Sequence, residues 1–188
     1  MREKAKLKEA KYFYDEMVAH RNQRDEFIYN LSAFLSCARS VLQYAHKEAE
    51  NKNNGKQWYD QHISVKPVVR FFRDKRDVNI HQEPVEPDTT EITTSNRITP
   101  SGSMQEVTVN LIPSAHPSIS HHTYTFSELN QPMTYTPKQQ AQTAASKSTW
   151  YTFGDWPGSE DALALCQQYI QELESIINDG ISKLMITG

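Results

Sequence analysis

Arg76 and His81, with Asp77 between them and Arg73 and Asn79 close by, are the residues of this chain best suited to phosphate chemistry. They fall within FFRDKRDVNIHQEP, residues 71–84. A guanidinium is a permanently charged planar fork that can bind two phosphate oxygens at once. An imidazole near its ordinary pKa takes or gives a proton at neutral pH. Asp77 is placed to fix the imidazole tautomer and raise its pKa. Together these groups have what RNA cleavage without a metal requires. The 2′-hydroxyl attacks the neighbouring phosphorus, His81 moves the protons, and Arg76 steadies the charge building on the phosphoryl oxygens. Arg73 and Asn79 are candidate substrate-binding residues, although for Arg73 an ion pair to Asp77 is the plainer expectation. For His81 the plain alternative is a histidine at a helix end, favoured there by the dipole and by Asp77.

On a regular helix Arg70–Asp74, Arg73–Asp77 and Asp77–His81 are pairs four residues apart, so Arg73, Asp77 and His81 share one stripe. Arg76 precedes His81 by five residues and points about 140° away. The two meet only across a two-fold axis, or if the helix unwinds at Asn79–His81. A second arginine–histidine spacing, Arg39 to His46, falls on the solvent side of the second helix and is read as fortuitous.

The elements that must position these residues are legible from apolar periodicity. A first helix spans about Arg2 to His20, with Leu7, Ala10, Tyr14 and Met17 on one stripe. A second carries Phe27, Leu31, Phe34, Ala38, Val41 and Ala45 at alternating steps of four and three, and ends in the polar run before a turn at Gly55. A third helical region starts near Trp58 and restarts at Pro67, with Val68, Phe71, Phe72 and Val78 as its buried side. Pro84 disfavours helix in the residue before it. The last helix follows WPG, with Ser159 as N-cap, Glu160 and Asp161 in its first turn, and Leu163, Cys166, Ile170, Leu173 and Ile177 as its stripe. Asn178 and Gly180 weaken its end.

Residues 83–158 differ in kind, being rich in Thr, Ser, Pro and Gln. EVTVNLI (106–112), HHTYTF (121–126) and STWYTF (148–153) alternate as strands do, while 127–147 reads as loop. A connection this long is an insertion with structure of its own or partly disordered. The expected fold is therefore mainly α: an up-and-down four-helix bundle from residues 1–82 and 159–188, with a β-hairpin or small-sheet insertion at 83–158. Trp150, Tyr151, Phe153 and Trp156 are expected to plug that insertion onto the bundle rather than to stack on bases.

The arrangement of Arg76-Asp77-Val78-Asn79-Ile80-His81 late in a helical bundle resembles the R-x4-H motif of the HEPN (higher eukaryotes and prokaryotes nucleotide-binding) domains. The stretch FIYNLSAFLSCARSVLQYA (27–45) also looks like the corresponding helix of uncharacterised bacterial members. The resemblance covers roughly residues 1–82 and 159–184 and leaves out the insertion. It implies a four-helix bundle and a metal-independent endoribonuclease that pairs two motifs at a homodimer interface. It also implies RNA as substrate and, for some members, a toxin with a protein antitoxin or a role in anti-phage defence. Other members have lost catalysis and serve as binding or scaffold modules for a protein or nucleotide, which is the alternative reading here. The commonest residue after the arginine in that family is Asn. Asp77 departs from it with an acid that repels phosphate.

Charge is distributed unevenly: 16 of the 20 Lys and Arg lie in residues 1–82, against 11 of the 23 Asp and Glu. A sequence pI near 6.2 argues against indiscriminate coating of nucleic acid, while the basic part can still present a local patch to phosphates. No apolar run approaches the roughly 20 residues that span a bilayer, and the first 17 residues have no apolar leader core. Cys37 and Cys166 sit at helical spacing among apolar residues and read as reduced core thiols of a cytoplasmic protein. No metal and no cofactor is expected. His116, His121 and His122 have no cysteine nearby, and adjacent strand positions face opposite sides. Neither a GxSxG nor a GK[ST] phosphate loop occurs.

Overall fold

The apolar stripe beginning at Phe27 builds the longest helix and the centre of the core. Phe27, Leu31, Phe34, Ala38, Val41 and Ala45 are all completely buried. The structure, a computed structural model, describes residues 2–81, 85–99, 102–113, 120–126 and 144–187. At 78–81, 96–99, 102–106, 120–126 and 144 it describes the backbone alone. Its described elements run α1 (Arg2–Ala19), α2 (Arg24–Ala49), α3 (Gly55–Val65), α4 (Pro67–His81), β1 (Asp88–Thr99), β2 (Gly102–Ile112), β3 (Ser120–Phe126), β4 (Ala144–Thr152) and α5 (Ala162–Ser182). The molecule is thus mainly helical, with a small antiparallel sheet before the last helix. Two compact units divide it, Met1–Glu86 with Asp155–Gly188, and Pro87–Gly154.

In the helical unit, side-chain pairs give the helix directions. Glu9 meets Cys37 and Arg2 lies over Tyr44, so α1 and α2 are antiparallel. Lys11 pairs with Glu174 and Tyr14 with Gln167, setting α1 against α5 in the same sense. Lys66 pairs with Glu172 while Phe72 stacks on Tyr169, so α4 also runs antiparallel to α5. Phe34 lies edge-on to Phe72 and Tyr169, with ring centroids 6.3 and 6.2 Å away, and those two rings stack at 5.0 Å and 14°. This triad ties α2, α4 and α5 together. Both cysteines are buried and free.

The third helical region is two helices for a local reason. Lys66, the residue before Pro67, is extended at φ −112° and ψ 94°, because the proline ring excludes the α conformation from its predecessor. Pro67 then opens α4, where its missing N–H is no loss. At the start of α3, Asn54 adopts a left-handed φ of 59° and Gly55 passes the end of α2 closely. A Cβ at Gly55 would lie 1.7 Å from the Ala49 carbonyl oxygen. Gly180 has a similar role within α5, since its Cβ would lie 2.9 Å from both the Trp58 ring and Ile186. The expectation that Gly180 weakens the end of α5 is corrected: the helix continues to Ser182, and the missing side chain makes room for Trp58. The expected cap at Ser159 also moves. Asp161 is the N-cap, accepting from the Leu163 N–H at 2.9 Å and from Arg21 at 2.8 Å, so the helix starts at Ala162.

Asp179 joins α5 to α3. Trp58 Nε1 donates to its Oδ2 at 2.6 Å, His62 Nε2 lies 2.9 Å from the same oxygen, and Lys183 Nζ lies 3.0 Å from Oδ1. Partial burial pushes the Asp179 carboxyl up, but hydrogen bonds from Trp58, His62 and Lys183 outweigh it and hold the pKa at about 2.

The sheet has the order β3-β2-β1-β4 with every pairing antiparallel. All three expected strands form, with longer or shifted ends, and residues 144–147, expected in a loop, belong to β4. β1 was not expected at all. Ile92 and Ile98 are its only aliphatic residues, but its five threonines are β-branched and suit a strand paired on both edges. Register places Trp150, Thr90 and Leu111 in one row and Ile92 beside Val109, all on one face. Trp150 and Leu111 on that face are exposed, whereas Thr89, Thr149 and Tyr151 on the other are buried. Residues 127–143 lie outside the described residues.

Gly55→Ala should lower unfolding stability by about 1–3 kcal/mol in urea titration, because the obstructing atom is backbone. Gly158→Ala, which meets only the flexible Glu160 side chain, should change it by less than about 0.5 kcal/mol. Asp179→Asn should lose about 1–3 kcal/mol at neutral pH. A carboxylate whose folded pKa is depressed stabilises the fold above its ordinary value of 3.8 and ceases to do so as pH falls towards 2. The gap between parent and Asp179→Asn midpoints should therefore close across that interval.

Candidate functional site

α4 positions the candidate residues. Its first turns bury Val68, Val69 and Phe72, and Phe71 packs edge-on to Trp156 at 5.0 Å. Past Phe72 the helix turns polar but does not leave the surface freely. The Arg76 side chain is only 19% exposed, with Nη1 donating to Asp77 Oδ1 at 3.2 Å and Nε buried without a hydrogen-bond partner. Arg73 donates through Nε to Asp74 Oδ1 at 2.8 Å. Lys75 reaches Asp155 at 2.7 Å and lies 5.5 Å above the Phe71 ring.

These pairs correct the expected ones. Arg73 takes Asp74 rather than Asp77, and Asp77 serves Arg76. The order matters: on a helix the favoured pair four residues apart has the acid first, and in Arg70–Asp74 and Arg73–Asp77 the arginine comes first. Adjacent pairing gives up little in exchange.

α4 continues without a break to His81, its last residue. The expected unwinding at Asn79–His81 is absent, so within one chain the Arg76 and His81 positions stay about 140° apart around the axis. The side chains of Asn79 and His81, like that of Val78, lie outside the described residues.

The pair set aside as fortuitous divides. His46 remains 40% exposed, with its ring 4.6 Å from that of Tyr59. Arg39 does not face solvent as expected. It is half-buried, and its Nε and Nη1 are buried without hydrogen-bond partners. Periodicity alone put Arg39 outside the α2 stripe. Packing of α4 and α5 around α2 covers more of the helix than that stripe. Tyr169, completely buried on α5, also carries a hydroxyl without a hydrogen-bond partner. Burial pushes its pKa up, and the Arg39 and Arg73 charges act in the opposite direction. Sequence reading missed this group because Arg39 and Tyr169 lie 130 positions apart and neither belongs to a motif.

Among the described residues no cluster of His, Cys, Asp and Glu is suited to a metal ion. His121 and His122 pair with Asn110 and Val109, on opposite faces of the sheet, and His116 lies outside the described residues. No described helix is long and apolar enough to cross a membrane. The chemistry available at α4 is anion binding by guanidinium groups, next to a helix end that carries a histidine. Comparison with known protein families, with characterised proteins and with solved structures finds no match to this chain.

Proposed function

We propose that the protein is a HEPN-like, metal-independent endoribonuclease acting on single-stranded RNA as a homodimer. In this reading α1, α2, α4 and α5 are the four helices of an up-and-down bundle, and α3 is the broken-off first part of the third. The reading rests on one observation above the others. Arg76 is held near the end of α4 with one edge on Asp77 and its Nε uncommitted, five positions before a helix-terminal histidine. Because α4 is unbroken, the reading requires the two-fold arrangement, in which His81 of one copy faces Arg76 of the other.

The chemistry then follows from residue types. An imidazole removes the proton from the 2′-hydroxyl, whose oxygen attacks the adjacent phosphorus. Arg76 balances the charge on the equatorial oxygens. The 5′-oxygen leaves with a proton from imidazolium, producing a 2′,3′-cyclic phosphate and a 5′-hydroxyl. Asp77 orients the guanidinium through its 3.2 Å contact, and Arg73 and Asn79 hold flanking parts of the RNA. A protein antitoxin and a cytoplasmic setting accompany this reading for a member that is toxic to its cell.

The unbroken helix also favours a second reading, a non-catalytic HEPN-like module that binds a protein or nucleotide. Incubation of single-stranded RNA of mixed sequence in EDTA separates the two. The parent should leave cyclic phosphate ends, and His81→Ala of equal thermal stability should be slower by at least about 100-fold. Equal inactivity of both proteins would give the binding module precedence.

A further inference from the structure

Arg39 and Tyr169 present a combination that the α4 chemistry does not use. Arg39 lies on α2 directly after the completely buried Ala38, five residues beyond Phe34. Tyr169 lies on α5, stacked at 5.0 Å on Phe72 and met edge-on by Phe34. The same ring triad therefore fixes both backbones. Two guanidinium nitrogens of Arg39 and the Tyr169 hydroxyl are buried and have no hydrogen-bond partner. Tyr169 is 0% exposed.

Such groups are expensive to bury unless something accepts from them. All three are donors, and the guanidinium carries a full charge that no carboxylate among the described residues neutralises. The next cation towards the Tyr169 hydroxyl, Arg73, already holds Asp74. Three donors and an unbalanced positive charge call for an oxygen-rich anion. Arg39 as a whole is only half-buried, so a small anion can approach it from solvent.

We propose that Arg39 and Tyr169 form an oxyanion site that binds a phosphate group, with the Arg39 Nε–Nη1 edge taking two oxygens and the Tyr169 hydroxyl a third. The proposal is separate from catalysis at Arg76 and His81 and does not depend on it. The phosphate can be free or esterified, since the donors grip oxygens that both forms share.

Thermal unfolding of the full chain tests this, using sodium phosphate and 5′-AMP against sodium chloride at matched ionic strength. For the parent, the midpoint should rise with phosphate concentration and saturate. A rise with both ligands, or with 5′-AMP alone, upholds the site and identifies its source as free or esterified phosphate. A parent midpoint that is the same in all three salts overturns it. In chloride, Arg39→Met and Tyr169→Phe should melt at or above the parent temperature, because each removes an unmet donor and keeps the packing. Both should weaken the phosphate response by at least about tenfold in apparent affinity. Undiminished response in both variants, or clear destabilisation of both in chloride, would show that these groups serve the fold instead. If Arg39→Met does not fold, Tyr169→Phe carries the comparison alone. His81→Ala should respond to phosphate as the parent does, which keeps this result independent of any nuclease activity.

Discussion

The stacking of Phe72 on Tyr169, closed by Phe34 at its edge, is the contact on which the rest of the helical unit depends. It joins three helices at one point, and all three rings are completely buried. Aromatic pairs of this kind add about 0.5–1.5 kcal/mol beyond the area they bury. Geometry matters more here than energy. Once Phe72 is seated, the next turns of α4 put Arg73 and Arg76 at the margin of the core. Once Tyr169 is seated, its hydroxyl is placed in an interior that Arg39 borders. The polar groups of interest are thus set by the most apolar residues of the chain.

A second constraint is close approach. α3 turns back immediately after α2 because Asn54 takes a left-handed conformation and Gly55 has no Cβ to strike the Ala49 carbonyl. That places Trp58 and His62 against α5, where Gly180 leaves room for the indole and Asp179 accepts from it. Pro67 then redirects the chain into α4. Two glycines and a proline, rather than apolar burial, decide where the path bends. They also decide that α4 reaches Phe72 in the right direction.

The guanidinium groups show why charge arrangement is harder to read than helix position. Arg73 and Arg76 both pair with the residue that follows them, because arginine-first spacing of four is the weaker option on a helix. Arg39 was assigned to solvent by a heptad, and a heptad describes one helix without its neighbours. A half-buried side chain that satisfies the local rule and violates the polar-satisfaction rule is where a local reading fails and a binding role becomes credible.

The sequence by itself determined the helices and most of the strands. The α2 and α5 stripes, the Pro67 restart and the alternation in β2, β3 and β4 are all local patterns of period 3.6 or 2, and a local pattern survives without knowledge of the fold. The R-x4-H spacing was equally legible. Only the tertiary structure decided the rest. β1 carries little apolar pattern and exists because it is paired on both edges, by β2 and β4. The Asp179 cluster joins residues 117 and 121 positions apart. Arg39 became a buried cation through the packing of α4 and α5. In each case the physical reason is the same: these features are made by which surfaces meet, and periodicity along one segment has no information about its partner.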